Sequence, residues 1–249
     1  MRRLTGVLLG LALVLNLTAC SGGQSAATAE QTTEVQTAGA QTTEVQTAET
    51  VTAAGSESAA DQNGETGSHI LIAYFTMPED VDTTGTDAVA GASIVVDEGQ
   101  VMGNVEYMAN VIQDTIGGDL FRIETVEQYP LDHDPLVDQA AEEQDEGARP
   151  ELSAHIENLD QYDTIILGYP NWWGDMPMAL YTFLEEYDFS GKTIIPFCPH
   201  GGSGFSDTEN TIARLQPDAV VSENGLTISR NDVAGSAEEV AAWAEGLGL

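Results

Sequence analysis

Two loops of the sequence carry the side chains best suited to binding a planar ligand. The first, at residues 169–177, reads YPNWWGDMP and contains the adjacent Trp172 and Trp173. The second, at residues 198–205, reads CPHGGSGF and places three glycines within four residues. Indole planes suit heteroaromatic rings, and a backbone without side chains lets its amides approach a ring edge closely. The tryptophans could instead pack over helix ends, and the glycine-rich turn could simply end a strand.

Other polar residues have both a chemical and a plainer interpretation. His200 could polarise a ring edge or relay a proton, or it could be an ordinary polar loop residue. Asp132, His133 and Asp134 are of metal-binding types, and Asp138 lies nearby, but their spacing matches no convergent ligand set. Asp134 followed by a proline also suits the start of a helix, which is the interpretation we favour.

Two further features are predicted to have no chemical role of their own. Cys198 is predicted to be a small buried residue, because surrounding carboxylates disfavour a reactive thiolate. The acidic run at residues 142–146 is predicted to be a solvated helix face, with docking of a cationic partner as the alternative.

The pattern of apolar residues indicates which elements position the two loops. Apolar runs predict five strands, at residues 70–75, 120–123, 164–169, 193–198 and 219–221, and the fifth can resume at 226–228 after a turn at 223–225. About five helices are predicted between them, including one over residues 105–116 and a short one near residues 152–159. Ser206 and Ser236, each followed three positions later by a glutamate, predict capping boxes. Continuous apolar strands are typical of a doubly wound α/β fold, in which ligands bind beyond the carboxyl ends of the parallel strands.

Four segments together resemble the flavodoxin-like family, in particular its exported, clostridial-type branch. They are residues 70–75, YPNWWG at 169–174, TFLEEYDFSGKTIIPF at 182–197 and CPHGGSGF at 198–205, within a likeness that spans residues 69–249. The resemblance implies a five-stranded parallel sheet of order 2-1-3-4-5 with FMN as cofactor. It also implies that the two loops flank the isoalloxazine and that the loop after strand one binds the phosphate. The cofactor-binding residues expected on this basis are Thr76, Met77, Gly103, Asn104, Pro170, Asn171, Trp172, Trp173, Gly174, Pro199, His200, Gly201, Gly202, Ser203 and Gly204.

The loop after strand one departs from the family pattern. Flavodoxins run from this strand to the helix through a short Ser/Thr-rich and Gly-containing loop, whereas here residues 77–102 intervene between Thr76 and Gly103. The insertion offers hydroxyls at Thr83, Thr84, Thr86 and Ser93, and residues 94–101 are predicted to form a hairpin. Helix amides bind phosphate without a basic residue. The acidic residues around the loop either face outward or weaken that binding; they are Glu79, Asp80, Asp82, Asp87, Asp97, Glu98 and Glu106.

The N-terminal region is predicted to export and tether the chain. A basic start at Arg2 and Arg3, a short apolar stretch and the sequence LTAC ending at Cys20 resemble a bacterial lipoprotein signal, in which the cysteine is lipidated. Residues 21–68 are rich in Thr, Gln, Ala and Glu and repeat QTTEVQTA, which predicts a disordered linker before a domain at 69–249. A formal net charge of −34 argues against nucleic-acid binding and against docking on anionic lipid. The expected location is therefore outside the cell membrane, with membrane contact only through the lipid.

Three functions are compatible with these features. The first is an FMN-binding electron carrier that needs no catalytic residue and that exchanges electrons with partner proteins through a basic docking surface on the partner. The acidic surroundings predict that the negatively charged, fully reduced flavin is disfavoured. The second is a flavin-dependent NAD(P)H or quinone oxidoreductase. The third is a non-redox surface module whose phosphate site has been lost to the insertion.

Overall fold

The computed structural model describes residues 69–86 and 88–249. The predicted lipoprotein signal at residues 1–20, its Cys20 and the predicted linker at 21–68 lie outside the described residues, as does Asp87. No helix within the described ranges is both long and apolar enough to span a bilayer.

Strands and helices alternate along most of the described chain. The strands are β1 (Ile70–Tyr74), β2 (Ala88–Val89), β3 (Ile94–Asp97), β4 (Gln100–Gly103), β5 (Asp119–Arg122), β6 (Thr164–Gly168), β7 (Thr193–His200), β8 (Val220–Val221) and β9 (Leu226–Ser229). The helices are α1 (Asn104–Ile116), α2 (His133–Glu146), α3 (Met178–Glu186), α4 (Thr208–Leu215) and α5 (Ala237–Gly246).

The main sheet has the predicted flavodoxin order. Its strands lie in the order β5-β1-β6-β7, and β8 and β9 both pair with β7. All of these pairings are parallel. Since β8 pairs with the start of β7 and β9 with its end, the two short strands together occupy the fifth position. The predicted order 2-1-3-4-5 is confirmed, as is the predicted interruption of strand five.

Alternate residues of β1, together with Phe75 directly after it, pack into two apolar cores, one on each face of the sheet. Leu71, Ala73 and Phe75 belong to the core that α3 and α4 cover. Ile70 and Ile72 belong to the core that α1 and α5 cover. This alternation follows from the period of two in a strand. It explains why the central strands read as continuous apolar runs.

The insertion after β1 folds as a small antiparallel sheet of its own. Strands β2, β3 and β4 pair in that order, and β3 and β4 form the predicted hairpin. Its two-residue turn places Glu98 and Gly99 at positive φ, as hairpin turns of this length require. The Ser93 carbonyl accepts a hydrogen bond of 2.8 Å from the amide of Asn104, the first residue of α1. The insertion is thereby attached directly to the start of α1.

Several local predictions are wrong for identifiable reasons. Residues 152–158 form no helix, because Leu152 bridges to Thr125, and only a short 3₁₀ helix follows at Leu159–Gln161. Ser206 does not cap α4, since it lies in a turn at φ +57° and the helix begins after Asp207. The Ser236 hydroxyl donates back to the Val233 carbonyl and makes no capping bond to α5. Helix α2 begins at His133, slightly before the predicted start.

Candidate functional site: a pocket at the carboxyl ends of the parallel strands

The loops after β1, β6 and β7 meet at a pocket of about 220 Å³. Ten of the residues expected to bind a cofactor line it: Thr76, Met77, Asn104, Pro170, Asn171, Trp172, Trp173, Pro199, His200 and Gly201. The other five expected residues are adjacent in sequence but are not among the lining residues; they are Gly103, Gly174, Gly202, Ser203 and Gly204. The fold therefore brings two thirds of the expected set to one cavity.

The two adjacent tryptophans have different environments. Trp172 packs edge-on against Phe75 and Tyr129, with ring centroids 5.5 and 5.8 Å away. Trp173 is 60% exposed, and its indole N–H donates to the Val137 carbonyl of α2 at 3.3 Å. Trp172 thus anchors the loop to the core, and Trp173 is the more exposed of the two indoles that line the pocket.

Trp173 also has an unusual backbone. Its φ of +53° lies in the left-handed region, which bulky residues rarely adopt. The amide and carbonyl of Trp172 pair with those of Asp175 at 2.8 and 2.9 Å, which closes a tight turn around Trp173 and Gly174. The turn directs the Trp173 side chain towards α2 rather than into the core. Strain of this kind persists where the surrounding structure enforces it, often at ligand sites.

The side chain of Asn171 joins the two loops. Its Nδ2 donates to the Gly204 carbonyl and to the Ser206 hydroxyl, both at 2.9 Å. Its Oδ1 accepts the amide of Gly174 at 3.2 Å. Together these bonds fix the tryptophan loop against the glycine-rich loop, so Asn171 sets the width of the pocket between them.

The glycine-rich loop is ordered by its own histidine. The amide of Gly202 donates to Nδ1 of His200 at 2.9 Å. Nδ1 is therefore an acceptor, so the neutral ring carries its proton on Nε2. Cys198, just before the loop, is completely buried, and this burial raises the pKa of its thiol far above the ordinary range. The prediction that Cys198 is a small buried residue is confirmed.

The start of α1 forms the inner wall of the pocket. Gly103 is in close contact with Thr76, because a Cβ at position 103 would lie 2.0 Å from the Thr76 hydroxyl oxygen. Asn104 is buried, and its Oδ1 has no hydrogen-bond partner. A buried carbonyl oxygen without a donor is costly. Because Asn104 lines the pocket, this oxygen is a candidate acceptor for a ligand hydroxyl or amide.

Most acidic residues around the insertion face away from the pocket. Asp80, Asp82, Asp97 and Glu98 are exposed and are not among the lining residues. Glu106 lies 3.6 Å from Arg122, and it accepts the amide of Gly103 at 3.4 Å. Of the predicted hydroxyls of the insertion, Ser93 lines the pocket, whereas Thr83, Thr84 and Thr86 do not. The structure thus favours the alternative in which the acidic side chains are folded outward.

One carboxylate of the insertion does line the pocket, and it is paired. Glu79 lies 2.8 Å from Nδ1 of His133 on α2. This hydrogen bond is the main reason why the pKa of His133 is raised. The amide of Asp80 also donates to the Leu131 carbonyl at 3.0 Å. His133 therefore fastens the insertion to α2, and no group of three metal-ligating side chains occurs within the described ranges.

Some of the residues that line the pocket were not identified from the sequence. The first turns of α2 contribute an apolar wall of Leu136, Val137 and Ala140. Arg230, which follows β9, lines the opposite side near Gly201. The α2 residues occupy one helical face, a pattern that also fits an ordinary buried face. Arg230 could have been found only from its place at the carboxyl end of the fifth strand.

The fold and the pocket define a doubly wound α/β protein with a ligand site at the carboxyl ends of its parallel strands. A family model described as flavodoxin matches residues 94–247. A curated flavodoxin from Picosynechococcus sp. is 30% identical over 141 residues, which cover 55% of this chain and 69% of that protein. The chain belongs to the flavodoxin family.

Solved flavoproteins also resemble the described fold. A flavoprotein from Bacteroides uniformis is 27% identical, with 68% of this chain and 97% of that one covered and a TM-score of 0.49. A flavoprotein in complex with FMN from Lactobacillus acidophilus is 20% identical, with 67% and 96% covered and a TM-score of 0.44.

The pocket's polar and apolar groups fit a flavin mononucleotide. The unpartnered Asn104 Oδ1 is an acceptor for a hydroxyl of a polyol chain. The exposed indole of Trp173 and the wall of α2 provide apolar surface for a tricyclic ring. Gly201 brings main chain to the cavity without a side chain.

Proposed function

We propose that this protein is an FMN-binding electron-transfer protein tethered to the outside of the cell membrane. The observation that carries the FMN part is the meeting of three features at one cavity: an exposed indole, a glycine-rich main chain and a buried oxygen without a donor. Membership of the flavodoxin family supports the same cofactor.

Different residues of the pocket bind different parts of FMN. Trp173 and the α2 wall cover an aromatic ring and exclude water from it, while the main chain at Gly201 approaches the ring edge. Asn104 Oδ1 accepts a hydroxyl of the polyol chain. When bound, FMN supplies the one- and two-electron chemistry; the protein supplies orientation and electrostatics.

The phosphate is expected at the start of α1. The amide of Asn104 is taken by the Ser93 carbonyl and that of Gly103 by Glu106. The amides of the following residues, Val105 and Glu106, have no intrahelical partner to bond, because the first turn of a helix offers none. With the Thr76 hydroxyl and the positive end of the helix, they form an anion site that needs no lysine or arginine.

A flavin titration tests the cofactor. We expect the full chain, purified in detergent, to bind FMN at least about tenfold more tightly than riboflavin, because a phosphate held by charge-assisted hydrogen bonds contributes about 1.5–3 kcal/mol. Quenching of flavin fluorescence measures both dissociation constants. A folded protein that binds neither flavin, or binds both equally weakly, contradicts the proposal and favours a non-redox surface module.

The tether is proposed from the predicted lipid attachment at Cys20. We expect the wild-type chain to fractionate with membranes and the Cys20→Ser variant to be released or to remain as an uncleaved precursor, because lipid attachment requires the thiol. Labelling with a clickable palmitate analogue measures attachment directly. Label on the Cys20→Ser variant, or a wild-type chain without label, contradicts the tether.

The proposed partner is a redox protein with a basic docking surface. The net charge of −34 and the exposed carboxylates at Glu142, Asp145 and Glu146 support this choice. We expect the rate of electron transfer to a basic cytochrome to fall as salt is added. A rate independent of ionic strength contradicts it.

A further inference from the structure

Arg230 differs from the other basic residues of the described chain. Three arginines pair with carboxylates: Arg122 with Glu106 and Glu124, Arg149 with Glu185, and Arg214 with Asp207. Lys192 donates a hydrogen bond to the Tyr162 carbonyl. Within residues 69–86 and 88–249, Arg230 is the one basic residue whose side chain has no hydrogen bond or ion pair. In a chain of net charge −34, a guanidinium without a carboxylate partner is unexpected.

The position of Arg230 is fixed by the glycine-rich loop. Its amide donates to the His200 carbonyl at 2.8 Å, and this bond belongs to the last pair of the β7–β9 ladder, His200 with Ser229. A Cβ on Gly201 would lie 3.8 Å from both Cζ and Nε of the guanidinium. The guanidinium therefore rests on the bare backbone of Gly201, at the wall of the pocket.

Few other charged groups share this pocket. Glu79 is hydrogen-bonded to Nδ1 of His133 at 2.8 Å. The positive charge of Arg230 lowers the pKa of His133, but this effect is smaller than that of Glu79, which raises it. His200 uses its Nδ1 as an acceptor. Arg230 is thus the pocket's unpaired permanent charge among the described residues.

The position of Arg230 does not suit an ion pair with the FMN phosphate. The phosphate is expected at the start of α1, near Thr76 and Asn104. Arg230 instead lies on Gly201, in the loop that the family resemblance places beside the isoalloxazine. Reduction of the ring by two electrons from a donor and one proton from solvent leaves one negative charge on it, at N1 when the proton is on N5. A charge near that edge of the ring is one of the means by which proteins set flavin potentials.

We propose that Arg230 stabilises the negative charge of the fully reduced flavin and so raises the potential of the bound cofactor. This inference rests on the proposed FMN binding and extends it. It opposes the expectation that the acidic surroundings disfavour the reduced anion. A flavin ring over Arg230 removes water from the guanidinium, which strengthens an interaction that is weak at an open surface.

Redox titration against a reference dye tests the proposal. The full chain in detergent, loaded with FMN, is compared with the Arg230→Gln, Arg230→Lys and Arg214→Gln variants at a pH where the reduced flavin is anionic. Arg214 is an exposed arginine paired with Asp207, so its variant is the matched control for a lost surface charge. Fluorescence titration gives the affinities of the oxidised protein for FMN and for riboflavin.

We expect Arg230→Gln to weaken binding of reduced relative to oxidised flavin about tenfold, which lowers the two-electron midpoint by about 30 mV. Arg230→Lys should lower it less, and Arg214→Gln should leave it unchanged. The oxidised Arg230→Gln protein should bind FMN and riboflavin nearly as the parent does.

Three results overturn the inference while leaving FMN binding intact. They are an unchanged midpoint in Arg230→Gln, an equal shift in Arg214→Gln, and a loss of oxidised FMN affinity that spares riboflavin, which would make the phosphate the partner. A folded Arg230→Gln variant that binds no flavin also overturns it. A wild-type chain that binds no flavin overturns both this inference and the proposed function.

Discussion

Replacing Trp173 by glycine is expected to weaken FMN binding about 10- to 100-fold while the free energy of unfolding stays within about 1 kcal/mol of the parent value. The loss of affinity follows because Trp173 is the more exposed of the two indoles that line the pocket. Stacking of a heteroaromatic ring on such a plane contributes about 1–3 kcal/mol. Fluorescence titration and chemical denaturation measure the two quantities on the same variant.

The free energy of unfolding is expected to change little, because the backbone of Trp173 is strained in the parent protein. Trp173 has a φ of +53°, a conformation that glycine adopts without cost. Relief of that strain offsets the loss of the indole's contact with Val137 on α2. A substitution that harms the function and not the fold is the expected signature of a residue kept in an unfavourable conformation for a ligand.

The Trp173 variant has three controls. Trp173→Phe should retain part of the affinity, since it keeps an aromatic ring. Val126→Ala removes another exposed apolar side chain away from the pocket and should change neither quantity. Trp172→Ala should lower stability, because Trp172 packs on Phe75 and Tyr129. Unaltered FMN affinity in Trp173→Gly would show that the indole does not contact the flavin.

The architecture was predictable because its signals are local and repeated. Apolar strands of four to six residues with helical spacing between them predict the doubly wound fold and a pocket at the strand ends, whereas the sheet order was implied by the resemblance to flavodoxins. The hairpin at residues 94–101 was also predicted, because its first strand begins with three β-branched residues and its turn contains Gly99. The strand–helix alternation leaves few arrangements for such a chain.

The failures concern segments whose conformation depends on distant partners. The helix predicted near residues 152–159 is absent because Leu152 pairs with Thr125, 27 positions earlier. Ser206 has a capping sequence, yet the Asn171 side chain holds its hydroxyl in the turn between the loops. Tertiary bonds override the local preference at both places.

The features of the site likewise fall into those that local sequence predicts and those that depend on distant partners. The tryptophan and glycine loops were identifiable from composition, but the sequence could not tell which indole is exposed and which packs on the core. That difference depends on the turn at 172–175 and on Val137 of α2. Arg230 was not identified from the sequence, because the residue is brought to the pocket only by the pairing of β9 with the end of β7. Acidic residues of the insertion looked like an obstacle to phosphate until their outward positions were known.

The pairing of β6 with β7 links this site to the stability of the fold. Gly168, the last residue of β6, lies opposite Phe197 of β7, and each is directly followed by a pocket loop. The Phe197 ring is fully buried and lies over the glycine, so a Cβ at position 168 would be 2.1 Å from its Cζ. The missing side chain at 168 therefore makes room for the ring that sets the spacing of the two loops.

Gly168→Ala is consequently expected to destabilise the protein by about 3 kcal/mol, as overpacking of a tight core does. Chemical denaturation measures the loss, and Gly235→Ala is the control, because that glycine has open space at its Cβ position. If the clash with Phe197 is the cause, Phe197→Leu should partly rescue Gly168→Ala, so that the double variant is more stable than the two single losses predict. Strict additivity of the two substitutions would locate the damage elsewhere. Because the β6–β7 contact holds both loops, FMN affinity should fall with the single variant and recover with the double one.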